Sequence, residues 1–199
     1  MIGGGVMKGL KLLPVLFVLV ALFGCSGVKV HELNSERVIL AQDFGQLEDI
    51  SDLILKAIVL PDKETVLETD QDGSVLFGYT LTRLKVTEVF TGDISVGDVV
   101  VITEEYWQEG SDVYTQANYL PAKEGNEYVF FLKLYGEDTR YRDMYFPIDL
   151  EKGKYTLNAS LISSASLDSF SNAQFEVGAK TGSDYREWYK QVIEKYIRP

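Results

Sequence analysis

The chain has one cysteine, one histidine and five prolines in 199 residues, and it is short of positive charge, with 19 Lys+Arg against 30 Asp+Glu. A single cysteine excludes a disulfide scaffold and a cysteine-ligated structural zinc site. A single histidine, His31, leaves serine or cysteine nucleophiles without the usual imidazole base over most of the chain. The formal net charge of −11 argues against a nucleic-acid partner, whose phosphates demand a surplus of Lys and Arg. With 46% apolar residues the chain has enough hydrophobic side chains for a folded core, and its length suits one domain.

What is present is concentrated first at the N-terminus. Lys8 and Lys11 precede the uncharged run Leu12-Leu13-Pro14-Val15-Leu16-Phe17-Val18-Leu19-Val20-Ala21-Leu22-Phe23, which ends at Gly24-Cys25. The run is shorter than the roughly 20 apolar residues of a spanning helix, so it reads as the apolar region of an export signal. Met7-Lys8 would open such a signal as readily as Met1. Leu22-Phe23-Gly24-Cys25 resembles a bacterial lipobox, in which the cysteine is acylated and becomes the new N-terminus. Phe23 departs from the small residue usual at its position. The resemblance implies a signal peptide over 1–24, a lipid on Cys25 as the membrane link, and an extracytoplasmic, membrane-anchored protein. Loss of residues 1–24 removes two lysines and no acid and takes the net charge to −13. That charge repels an anionic bilayer.

Residues 25–40 read as the lipidated cysteine and a tether, and 41–199 as one domain. Leu47, Ile50 and Leu53 recur at helical steps, whereas Leu53 to Leu60 is an almost unbroken apolar run that suits a strand. Asp72-Gly73 lies between two apolar segments and marks a hairpin. The returning segment, Ser74 to Phe90, changes apolar parity and predicts a bulge near Thr82. Further strands are expected at 99–102, 128–134, 144–148 and 154–157. Residues 104–118 read as a long polar and aromatic connection. At the end, Tyr185, Trp188, Tyr189, Val192, Ile193 and Tyr196 recur at steps of three and four and predict a helix packed on a sheet.

Two segments carry a further resemblance. Residues 84–101, Leu84-Lys85-Val86-Thr87-Glu88-Val89-Phe90-Thr91-Gly92-Asp93 and on through Val96-Gly97-Asp98-Val99-Val100-Val101, look like a pattern of exported bacterial proteins. They are followed by Gly125-Asn126-Glu127-Tyr128-Val129-Phe130-Phe131-Leu132. Together these are similar to the barrel of netrin modules and tissue inhibitors of metalloproteinases. The resemblance, over roughly residues 52–134, implies an OB-like barrel, which together with the C-terminal α-helix read from the spacing gives a mainly β fold. It carries no inhibition with it, because the inhibitors chelate the protease zinc through a free N-terminal cysteine and Cys25 would be acylated.

The candidate chemistry is sparse. Glu68, Asp70 and Asp72, with Gly73, imitate the start of a calcium loop, but Tyr79 stands where the bidentate Glu belongs, and a plain hairpin turn accounts for the same residues. Tyr106, Trp107, Tyr114 and Tyr119 form an aromatic group able to stack on sugars or anchor a partner protein, or else to fold back and cap the barrel. Glu104, Glu105 and Asp112 are the acids a carboxylate hydrolase would use, although adjacent strand residues face opposite ways and solvated acids are the simpler reading. His31 falls in the tether. No cofactor motif is present. The expected function is a binding or interaction module of the cell envelope, meeting an envelope protein or a carbohydrate, with a carboxylate hydrolase as the alternative. Cys25→Ser should release the protein from membranes and abolish labelling by a palmitate analogue; unchanged partition into the membrane fraction would contradict the anchor.

Overall fold

The computed structural model describes residues 29–33, 41–117, 119–137, 139–179, 181–182 and 184–198. The signal segment and Cys25 lie outside the described residues. Among the described residues no helix is long and apolar enough to cross a membrane.

The chain is mainly β. Its strands are β1 (Lys29–Leu33), β2 (Leu53–Val59), β3 (Glu64–Thr69), β4 (Val75–Thr91), β5 (Val99–Glu104), β6 (Tyr106–Glu109), β7 (Asp112–Gln116), β8 (Glu127–Leu134), β9 (Tyr145–Pro147) and β10 (Lys154–Thr156). Helix α1 spans Phe44–Ile50, α2 Ala159–Ser163 and α3 Asp184–Val192, the last continuing as a π-helical turn over Ile193–Ile197. Asp43 caps α1 by accepting a hydrogen bond from the Gln46 N–H, which satisfies one of the first-turn donors.

Five strands close a barrel in the order β2-β4-β5-β9-β8 and back to β2. The β5–β9 pairing is parallel and the other four are antiparallel, which is the strand order and sense of an OB-like barrel. Strand β10 extends the sheet beyond β8, and β3 pairs with the first half of β4. Closure leaves the five barrel strands without open edges where they pair.

The strands divide two cores. Leu53, Leu55, Ala57 and Val59 of β2 point into the barrel with Leu84, Val86, Val100, Ile102, Tyr128, Phe130 and Leu132. The opposite faces of β2, β8 and β10 carry Ile54, Val129, Phe131 and Tyr155, which pack against Phe44 and Leu47 of α1 and against Tyr185, Trp188, Tyr189 and Tyr196. Covered on both faces, β2 and β8 read as continuous apolar runs, and the C-terminal aromatic stripe packs on the sheet as its spacing predicts.

Three features differ from expectation. No register shift occurs at Thr82; the shifts fall where β4 meets β2, at Thr87 and Phe90, and near Leu76 in the β3–β4 hairpin. Phe77 and Tyr79 do not signal a parity change, because β4 is covered on both faces there, with Tyr141 edge-on to Tyr79 at 5.1 Å and Phe77 6.0 Å from Trp107. The expected connection over 104–118 contains the β6–β7 hairpin, turned at Gly110-Ser111 with Gly110 at φ +60°. The expected tether contains β1, which pairs in parallel with β7 from Lys29 opposite Asp112 to Leu33 opposite Gln116. A three-stranded sheet, β1-β7-β6, therefore stands on the barrel.

Barrel closure at β9 depends on a close approach by Gly153. A Cβ there would lie 2.5 Å from the Ile148 nitrogen and 2.8 Å from the Pro147 carbonyl carbon, and backbone cannot give way as a side chain can. Gly153→Ala should therefore cost about 2 kcal/mol and lower the melting temperature by several degrees in a thermal unfolding scan. An unchanged melting temperature would contradict this packing.

Candidate functional site

The barrel interior becomes polar at one end. Thr82 and Glu104 continue the inward-facing series of Leu84 and Ile102, and Lys154, opposite Phe130 in the β10–β8 ladder, lies on the same side. Over this end runs segment 119–126, which contains Pro121 and makes no strand ladder. A buried segment of this kind has backbone groups that must find partners. Charged side chains supply them here. Glu104 accepts the Ala122 N–H at 2.7 Å, Lys63 donates to the Ala122 carbonyl at 2.5 Å, and Lys154 donates to the Leu120 carbonyl.

Glu104 is fully buried and also accepts from the Tyr119 hydroxyl at 2.7 Å, from Lys63 Nζ at 2.9 Å and from the Thr82 hydroxyl. Burial alone would raise its pKa. Lys63, Lys154, the Thr82 hydroxyl and the Ala122 N–H outweigh burial and hold the carboxyl below its usual range. Burial works against the Lys63 ammonium too, but Glu104 leaves its pKa raised. Lys154 is enclosed by the rings of Tyr119 and Tyr128, at 4.7 and 5.8 Å, and burial pulls its pKa down to about 8 against the opposing pull of Glu104, Glu151 and Glu176.

Glu176 fastens the same segment from the other side. Its backbone is left-handed, at φ +58°, and its carboxylate accepts from the Tyr128 hydroxyl, from Asn126 at 3.0 Å and from Lys123 at 3.1 Å. A groove of about 300 Å³ beside it is lined by Asn126, Glu127, Thr156, Asn158 and Glu176. Solvated acids were the simpler expectation for Glu104; the structure instead makes it the centre of a saturated buried cluster.

The aromatic group separates. Tyr119 is buried in this cluster, and Trp107 lies against Gly78, where an added Cβ would come within 2.5 Å of Trp107 Cγ. Trp107 Nε1 is buried without a hydrogen-bond partner. Tyr106 is half-buried, its backbone carbonyl accepting from the Thr80 hydroxyl at 2.8 Å and its ring 5.3 Å from Lys63 Nζ. Tyr114, half-buried, is coplanar with Trp107 within 6° at 5.0 Å. On its other flank lies His31, stacked at 4.7 Å and 15°. Expectation placed His31 without a rigid partner; its Nε2 is 3.0 Å from Asp112 Oδ2, and its side chain is 42% exposed. Ser111 reaches Asp112 at 3.4 Å rather than the imidazole, so the contacts are not those of a nucleophile and its base.

At the β3–β4 turn, Asp70 Oδ1 accepts the N–H groups of Asp72 and Ser74, both at 2.9 Å, and Glu68 pairs with Arg140. Asp70 thus caps the hairpin turn, while Glu68 is held in an ion pair. Among the described residues no group of three or more His, Cys, Asp or Glu side chains is arranged to hold a metal ion. No protein-family model and no curated protein matches the chain.

Lys154 makes folding pH-dependent. Its folded pKa lies below that of the unfolded chain, so between pH 8 and 10 the unfolded state holds a proton there that the folded state has released, a contribution to stability that grows by about 2 kcal/mol across the window. The buried tyrosines oppose it, because burial raises the folded pKa values of Tyr119, Tyr155 and Tyr185 and the unfolded chain loses those protons first as the pH approaches 10. Lys154→Met isolates the lysine: from pH 8 to 10 its urea-unfolding free energy should fall by about 2 kcal/mol relative to the parent's, and an identical pH dependence in the variant would contradict the assignment.

Proposed function

We propose that the protein is a lipid-anchored, extracytoplasmic binding module of the bacterial cell envelope whose contact surface is the three-stranded sheet. The observation that carries this reading is the ordered stack Trp107–Tyr114–His31, buried at one end and partly exposed at the other, with the Asp112 carboxylate beside it. A stack fixed by packing presents its outer rings at little entropic cost, which is what a contact residue needs. An envelope protein would use Tyr114 and His31 as anchors, and a carbohydrate would use the ring edges together with the imidazole–carboxylate pair. The sequence similarity to a lipobox at Cys25 supports the anchor, and the OB-like fold supports a binding role by analogy alone.

The hydrolase alternative draws on Glu104, Glu105 and Asp112. Glu104 has four donors and no solvent exposure, so neither oxygen faces a space where substrate could lie. Asp112 is engaged by His31. The binding reading is tested by crosslinked capture from membranes and by a glycan panel, with Tyr114→Ala and His31→Ala beside the parent protein. Both variants should keep the parent melting temperature to within a few degrees and lose the captured ligand. Capture that is unaffected by either change would remove the sheet as the contact surface.

A further inference from the structure

The position of β1 shortens the distance from the anchor to the domain. Four peptide steps separate Cys25 from Lys29, and at a maximum of about 3.6 Å each they reach no more than about 14 Å. Lys29 is where β1 joins the domain, opposite Asp112 at the start of β7. The end of the sheet that carries Lys29 and the Gly110-Ser111 turn must therefore stay close to the lipid headgroups.

A second observation concerns what else lies at that end. Strand β6 prolongs β5 alongside β4, with the Tyr106 carbonyl bonded to Thr80 and Trp107 against Gly78. Going outward, β6 reaches the Gly110 turn as β4, read backwards, reaches Leu76 and the Asp72-Gly73 turn. Both hairpins thus point the same way as the start of β1. Leu76 at 69% and Val30 at 65% are among the most exposed large apolar side chains, and both are in this group of tips. Val96, equally exposed at 65%, lies in the β4–β5 turn at the other end of the barrel and serves as the internal comparison.

We infer that the paired tips of the β3–β4 and β6–β7 hairpins, with Leu76 and Val30, rest on the surface of a zwitterionic phospholipid bilayer and fix the orientation of the domain above it. This rests on the proposed lipid at Cys25. Two aliphatic side chains would not recruit a free protein, but for a domain already held by its lipid the contact is intramolecular and only has to bias orientation. The acids Asp70, Asp72, Glu109 and Asp112 at the same end disfavour an anionic surface, which sets the lipid class. In this orientation the strand carrying His31 rises from the membrane, and the β4–β5 turn with Val96 points away from it.

The test uses the full lipidated protein in phosphatidylcholine vesicles. Acylation consumes the thiol of Cys25, the chain's single cysteine, so Leu76→Cys or Val96→Cys provides a unique site for a thiol fluorophore. A lipid bearing a nitroxide near the headgroup should quench the label at 76 several-fold more than the label at 96. A Gly/Ser spacer of about 20 residues inserted after Ser26 should shrink that contrast, because its coil dimensions greatly exceed the native span. Equal quenching at the two positions, with the protein still on the vesicles, overturns the orientation and leaves the anchor standing. Membrane-derived protein whose Cys25 itself reacts with the fluorophore overturns both.

Discussion

The Glu104 carboxylate is the group on which the barrel end depends. Segment 119–126 closes that end and bonds to β2 only at its close, where Gly125 donates to the Val59 carbonyl and Asn126 accepts the Val59 N–H; around Pro121, which has no N–H, it follows no ladder. The Ala122 N–H and carbonyl and the Leu120 carbonyl find their partners in the side chains of Glu104, Lys63 and Lys154. An isolated charge in this place would be costly. Two lysines, two hydroxyl donors and one amide around a fully buried carboxylate make it tolerable. The cluster is thus a substitute for strand pairing, and its chemistry is spent on the fold.

That arrangement decides where function can lie. Glu104 ends β5 and the next strand, β6, begins at Tyr106, so the carboxylate fixed inside the barrel also fixes the starting direction of the three-stranded sheet. Tyr119 ties the strap to the same carboxylate, and the Thr115 hydroxyl of β7 donates to the Tyr119 carbonyl at 2.7 Å. Strands β6 and β7 are therefore clamped at their barrel ends and present Tyr114 further out, with His31 of β1 stacked on it. Rigid support for a partly exposed aromatic stack is the structural argument for a binding module.

Much of the fold was legible because its signals are local. Asp72-Gly73 announced the β3–β4 hairpin, apolar runs marked β2 and β8 as strands, and the spacing of Tyr185, Trp188 and Tyr189 gave α3 and its buried face. The β6–β7 hairpin carried a signal of the same kind, Gly110-Ser111 between Trp107 and Tyr114, but acids on either side made the stretch read as a loop. Parity misled at Phe77 and Tyr79, whose burial comes from Tyr141 and Trp107, elements distant in sequence. The buried cluster was the least legible part. Glu104 stands beside Glu105 and looks solvated, and nothing near Lys154 reveals that β10 points it into the barrel under Leu120. Long-range pairing determines both, and no short window contains it. His31 was misplaced for the same reason, its carboxylate partner Asp112 being 81 residues away.

The central claim is that Glu104 holds the strap as firmly as a strand would. Amide hydrogen exchange at Ala122 tests it most directly, since that N–H belongs to no ladder and is protected only by the Glu104 carboxylate. In the parent protein it should exchange as slowly as barrel amides such as Phe130, and in Glu104→Gln it should exchange much faster while Tyr189 in the C-terminal helix keeps more of its protection. Rapid exchange at Ala122 in the parent, on the timescale of exposed loops, would contradict the account.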